Sequence, residues 1–213
     1  MKKLFLVISL LLICTSIGYS QFRLGLEPAL GMNLNLHGGS DLKESGSGFG
    51  IAFGGYANMM FSKSIGMIAG LAFYDNRSGS MTETGTSQGV NYSADVSASL
   101  AYFQIESLLK IATPSKVYFV FGPVLGFNVE SEGESDISYP QYPQYNSKSK
   151  ATIKDTQVRF ELKAGAGYEI EIAKNIDLVP QLTFGYGLTK VVKDVKWNIM
   201  TFQAMVGVKF DLL

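Results

Sequence analysis

The chain has 213 residues, enough for one domain with a sizeable core or one small barrel. Eighteen basic and 18 acidic residues give a formal net charge of zero, which excludes the strong basic field a nucleic-acid partner requires. Charged residues make up only 17%, against about 25% in ordinary soluble domains.

In chain order, Lys2 and Lys3 precede an apolar run from Leu4 to Cys14, and a small-residue segment ends at Gly18-Tyr19-Ser20. A positive start, a short apolar middle and small residues before the cut make residues 1–20 a secretory signal peptide. The run is shorter than the ~18 residues of a spanning helix. Ile13 stands where a lipid-anchored cysteine at position 14 would want a small residue. Without residues 1–20 the chain keeps 16 basic and 18 acidic residues and no cysteine, so neither disulfides nor thiol chemistry are expected. No other apolar run is long enough to cross a membrane as a helix.

From Phe22 the residues alternate. Leu24, Leu26, Leu30, Met32, Leu34 and Leu36 fall on one face, and Arg23, Glu27, Asn33 and Asn35 on the other. That period of two is a strand, and Pro28 suggests a local break in its ladder. His37–Ser47 reads as a polar loop. A second strand carries Phe49, Ile51, Phe53, Met59 and Phe61, and a third Ile65, Met67, Leu71 and Phe73, with a short turn at Ser62–Ser64 between them. Asp75 to Gly89 reads as a long loop without strand character. The fourth strand shows Tyr92, Ala94, Val96, Ala98, Leu100 and Tyr102, then shifts parity to Phe103, Ile105, Leu109 and Ile111. A shift of that kind predicts a bulge near Tyr102-Phe103. After the turn Thr113–Lys116 comes a fifth strand, Val117–Val129, and then the longest loop, 130–156. The sixth strand, Gln157–Ile172, alternates without interruption. A turn at Ala173–Asn175, a seventh strand from Ile176 to Leu188, a loop at Thr189–Lys196 and an eighth strand with Phe202–Leu212 complete the pattern.

The expected fold is therefore all-β: an eight-stranded antiparallel up-and-down transmembrane β-barrel spanning residues 21–213. Its connections alternate long and short, as short periplasmic turns and long extracellular loops do. Aromatic girdles are expected at Phe22, Phe61 and Phe210 on the inner side and at Phe49, Phe73, Tyr92, Phe127, Tyr186 and Trp197 on the outer. A lipocalin-like soluble barrel would need a richly charged outer face. Here the non-apolar face is rich in glycine and serine, which suits the crowded interior of a small barrel. The charges on that face, Arg23, Glu27, Arg159, Glu161 and Lys163, are expected to pair inside, because a lone buried charge is very costly.

Tyr102-Phe103-Gln104-Ile105-Glu106-Ser107-Leu108-Leu109-Lys110 runs into Tyr118-Phe119-Val120-Phe121-Gly122-Pro123. Together with Gly165–Glu169 and the closing Gly207-Val208-Lys209-Phe210, this resembles the PorT-like outer-membrane β-barrel domain family found in Bacteroidetes. Ser107 stands where that family often has proline. The resemblance implies a small outer-membrane barrel and, through the name-giving member, a link to protein secretion; it implies no functional residues.

Few motifs carry chemistry. His37 is the one histidine, beside Gly38-Gly39-Ser40, and reads as an exposed loop residue; Asp41 is too close in sequence to serve persuasively as its orienting acid. Gly46–Gly50 opens a strand, not a helix, so phosphate-loop logic fails. Glu130, Glu132, Glu134 and Asp136 could gather divalent cations or be a solvated loop. Tyr139-Pro140-Gln141-Tyr142-Pro143-Gln144-Tyr145 suggests an extended, polyproline-like segment, with Tyr139, Tyr142 and Tyr145 as a possible surface interaction loop. The expected role is non-enzymatic: an outer-membrane protein with a plugged interior and a structural or surface-interaction function, without cofactor or metal. Its partners would be outer-membrane lipid and possible envelope or secretion proteins, with no nucleic acid. A secretion accessory and a lipid-modifying enzyme are the alternatives.

Overall fold

The structure, a computed structural model, describes residues 22–212 except Lys43 and Gln88. The expected signal peptide lies outside the described residues. Eleven strands are present among them: β1 (Arg23–Gly38), β2 (Gly46–Met60), β3 (Ile65–Asn76), β4 (Gly79–Ser87), β5 (Val90–Ala112), β6 (Val117–Ser138), β7 (Ser147–Thr152), β8 (Arg159–Tyr168), β9 (Ile170–Ala173), β10 (Ile176–Gly187) and β11 (Asn198–Asp211). Eight of them close a ring by antiparallel pairing, in the order β1, β2, β3, β5, β6, β8, β10, β11 and back to β1. Closure leaves the ring without a free edge.

The other three strands continue rails of this ring. β4 runs on from β3 against β5 after an interruption at Arg77-Ser78, and β7 and β9 precede and follow β8. The sixth predicted strand is thus divided at Glu169, whose N–H still donates to the Lys116 carbonyl in register with the β6–β8 ladder. The segments 75–89 and 130–156 are not loops throughout: each contains a strand, and β5 and β6 reach 23 and 22 residues. Above the ring, β4, β5, β6 and β7 form a projecting four-stranded sheet.

The short connections 61–64, 113–116 and 174–175 lie at one end with Phe22 and Leu212. Asn175 supplies the left-handed conformation (φ 63°) that the tightest of these turns needs. Around the ring, one parity of each strand faces out and is apolar: Leu30, Met32, Phe49, Ile51, Phe119, Phe121, Leu182 and Phe202 are all exposed. The other parity faces in and is buried. A water-facing surface does not carry an apolar belt of this extent.

The bulge expected in β5 is not there. Even residues of β5 face inward from Ala94 to Lys110, and the register shifts fall on its neighbours, at 73–74 of β3 opposite Phe103 and at Val129 of β6 opposite Ala101-Tyr102. The apolar residues change parity because the surroundings of the strand change. Along the ring the outer face is the apolar one, whereas in the projecting sheet the inner face is apolar and the outer face carries Thr82, Asp95, Asp136 and Lys148 in one row.

Inside the ring, polar and apolar layers alternate. Tyr56, Ile68, Leu108, Tyr118, Val120, Val124, Val179 and Met205 make a central apolar layer. Two glycines give the tyrosine rings their room: a Cβ on Gly70 would stand 2.3 Å from Tyr56, and one on Gly167 2.3 Å from Tyr118. Leu100, Tyr102, Val191, Trp197 and Ile199 make a second apolar layer toward the long-loop end.

Candidate functional site

Between the two apolar layers lies a layer of buried charge. Asp75, Arg77, Glu106, Arg159, Glu161 and Lys163 are all at most 3% exposed, and their charges balance. Arg159 forks onto one Glu161 oxygen through Nε and Nη2. Arg77 donates from Nε to Asp75 at 2.7 Å and lies 3.9 Å from Glu161. Lys163 donates to Glu106 at 2.7 Å and to Gln203 at 3.2 Å, and Gln203 passes the chain on to Asn33 at 2.9 Å. Gly185 makes space for the Glu161 carboxylate, which a Cβ there would meet at 1.9 Å. Buried charges persist only when paired in this way.

The five charges expected to pair are split between the two ends. Arg159, Glu161 and Lys163 sit together in the upper layer. Glu27 lies below the central apolar layer and accepts from Asn58 at 2.6 Å, in a network where Lys110 donates to Asn58 and Glu169, and Lys209 to Glu169. Lys209 also pairs with Asp177 at 2.8 Å. Arg23 is exposed at the short-turn mouth. The reason is direction: β1 starts at the short-turn end and β8 at the long-loop end, so the first residues of each are at opposite ends. Asp75, Arg77, Glu106 and Lys110 escaped the sequence reading. Glu106 and Lys110 were legible, since they share the inward parity opposite Ile105 and Leu109. Asp75 and Arg77 were not, because they turn inward only after the β3 bulge.

At the long-loop end, His37 is buried (3% exposed) at the end of β1 and accepts a hydrogen bond on Nδ1 from Trp197 Nε1 at 3.1 Å. It is neither an exposed loop residue nor set up for general-base catalysis, where a carboxylate would accept a hydrogen bond from Nδ1–H. Asp41 instead accepts the Lys196 N–H at 2.8 Å, and this contact holds its carboxyl below the usual range. Trp197 thus points inward rather than joining a girdle. Tyr92 likewise leaves the girdle, donating to Glu83 at 2.7 Å in the projecting sheet.

On the outer face of that sheet, Lys148 pairs with Glu134 and Lys150 with Glu132, both at 2.6 Å. These pairs lower the Glu134 carboxyl and raise both ammonium groups. The acidic run is therefore matched by lysines across the ladder. Among the described residues, no group of three or more His, Cys, Asp or Glu could hold a metal ion. At the tip, the tyrosine segment is folded rather than extended. Tyr142 N–H returns to the Tyr139 carbonyl and Tyr145 N–H to that of Tyr142, because each proline presets the second position of a turn. Tyr142 and Tyr145 are exposed with ring centroids 6.2 Å apart, while Tyr139 rests against Tyr92.

Residues 6–210 match the family profile described as the outer membrane protein beta-barrel domain. The chain belongs to that family. This family membership supports an outer-membrane location and accounts for the apolar exterior as a lipid-facing one. No curated protein matches the chain in sequence. Among solved structures, the Ail attachment invasion locus protein of Yersinia pestis is similar at 13% identity, over 87% of this chain and 98% of its own, with a TM-score of 0.41. Neisserial surface protein A follows at 15% identity, over 92% and 99%, with a TM-score of 0.41. OprG of Pseudomonas aeruginosa is similar at 9% identity, over 92% and 98%, with a TM-score of 0.40.

Proposed function

We propose that this family member is a non-enzymatic, eight-railed transmembrane barrel whose interior is plugged and whose work is done by the projecting sheet on the cell surface. Residues 1–20 are its export signal, the short turns face the periplasm and the long-loop end faces outward. The observation that carries the reading is the change of polarity along β5. Its outer face is apolar where it lines the ring and polar from Ser99 upward, as a strand leaving a bilayer requires. The filled central layer supports a closed interior, since Tyr56 and Tyr118 cross it between buried Leu108 and Val179. A general diffusion pore takes about 16–18 strands.

Planar-bilayer recordings test the plug. The wild-type chain is expected to show no steady conductance, and Tyr56→Gly/Tyr118→Gly to open one; a steady wild-type conductance contradicts the reading. The resemblance of Tyr102–Lys110 and Tyr118–Pro123 to the PorT-like family favours a second role, as accessory to a secretion machine. Co-purification with secretion components after mild detergent extraction, retained when residues 139–146 are removed, would select that role over a surface one.

A further inference from the structure

The inner face of the projecting sheet rests on the second apolar layer only in part, through Ala98 and Ile153. It closes over a cavity of about 450 Å³ at the long-loop end, walled by Leu42, Met81, Val96, Ala98 and Ile153. Trp197 and His37 line the cavity as well. The volume falls in the range of about 300–1,000 Å³ typical of small-molecule sites. Leu42, Met81, Val96 and Ile153 are only half-buried, so apolar surface stays uncovered in an element that otherwise stands in water.

The polar groups around this space are already engaged. Asp41 accepts the Lys196 N–H, Glu83 accepts the Tyr92 hydroxyl, and Trp197 donates to His37 Nδ1. Among the described residues no ammonium or guanidinium lines the space, so a carboxylate ligand would meet only the like charges of Asp41 and Glu83. Because His37 accepts on Nδ1, the ring proton of its neutral form sits on Nε2. That atom is buried against Gly79, where a Cβ would stand 2.4 Å away, with the carbonyls of Ser78 and Arg77 beside it, so the ring presents no donor to the cavity.

We propose that this cavity binds a small uncharged molecule that is mainly hydrocarbon. The site goes beyond the role proposed above and depends only on the geometry of the long-loop end.

Trp197 is the one tryptophan of the chain, so its fluorescence reports occupancy. The protein is placed in lipid nanodiscs and titrated with 1-bromooctane, whose bromine quenches indole, and separately with 8-bromooctanoate. Saturable quenching by bromooctane is expected, with the carboxylate needing about tenfold more or failing to saturate. Gly133→Leu grows a side chain from the wall into the space, its Cβ no nearer than 3.4 Å to Ile153. This variant and Val96→Asn should each weaken bromooctane binding about tenfold or more while the ring keeps its resistance to cold SDS. Quenching that is linear and equal in wild type and both variants would mean that the quencher reaches Trp197 only from the bilayer, and would overturn the proposal. Equal saturable binding of the carboxylate would overturn the assigned ligand class.

Discussion

Glu161 is a residue at which removal of one side-chain group has a large expected consequence. Its carboxylate takes Arg159 and lies near Arg77, with both side chains almost fully buried. Removing one partner of such a pair costs about 3–5 kcal/mol, whereas replacing both by apolar groups is often close to neutral. Glu161→Leu should therefore lower stability by about 3–5 kcal/mol in urea unfolding from lipid vesicles, and Glu161→Leu/Arg159→Leu should recover most of it. Asp41 gives a milder and pH-dependent effect. Its folded carboxyl is depressed by the Lys196 N–H, so its contribution is present above the ordinary carboxylate range and is lost as pH falls through the depressed value. The protection of the Lys196 amide against exchange, taken relative to its intrinsic rate at each pH, should fall on acidification through the depressed value, and Asp41→Asn should remove most of that dependence. Protection unchanged through that range would contradict the contact. Alternation alone placed Arg159, Glu161 and Lys163 on the inward face. It could not place Arg77, whose position depends on one extra residue at 73–74 of β3, nor could it show that His37 continues a strand.

At the scale of elements, the projecting sheet is held by cross-strand contacts on a water-facing surface. β7 is exposed along its whole length and pairs only with β6, so its backbone ladder and the diagonal Lys148–Glu134 and Lys150–Glu132 pairs hold it in place. Reversing both lysines to glutamate sets like charges opposite each other. Protease cleavage between 139 and 152 should then accelerate while the ring stays intact. High salt should speed cleavage of the wild type in the same direction, since exposed pairs are screened. The strands of the ring could be read from the sequence because one face is uniformly apolar. β4 and β7 could not, because their residues are mostly Ser, Thr, Lys and Gly and their pairing comes from the long neighbours β5 and β6. The apolar parity shift at Tyr102-Phe103 was a real signal with a different cause: it marks the height at which the apolar face passes from the outside of the ring to the inside of the projecting sheet, where the proposed function puts the edge of the bilayer.

At the scale of the molecule, the apolar belt and the layered interior together specify where the chain can reside. Leu30 lies midway along β1, is 69% exposed, and stands between Phe53 and Val206 on the neighbouring strands. Leu30→Arg should cost about 2–4 kcal/mol of folding free energy in vesicles, and Leu36→Arg near the rim about 0–1. Equal costs at both depths would contradict a bilayer around this belt. The most direct measurement is topological. In living cells, single cysteines are placed in a Cys14→Ser background and treated with a maleimide that cannot cross the outer membrane. Ser147→Cys at the tip should label at once, Lys174→Cys at a short turn only after the outer membrane is permeabilised, and Leu30→Cys in neither state. Immediate labelling at Lys174, or labelling of all three alike, would contradict the account.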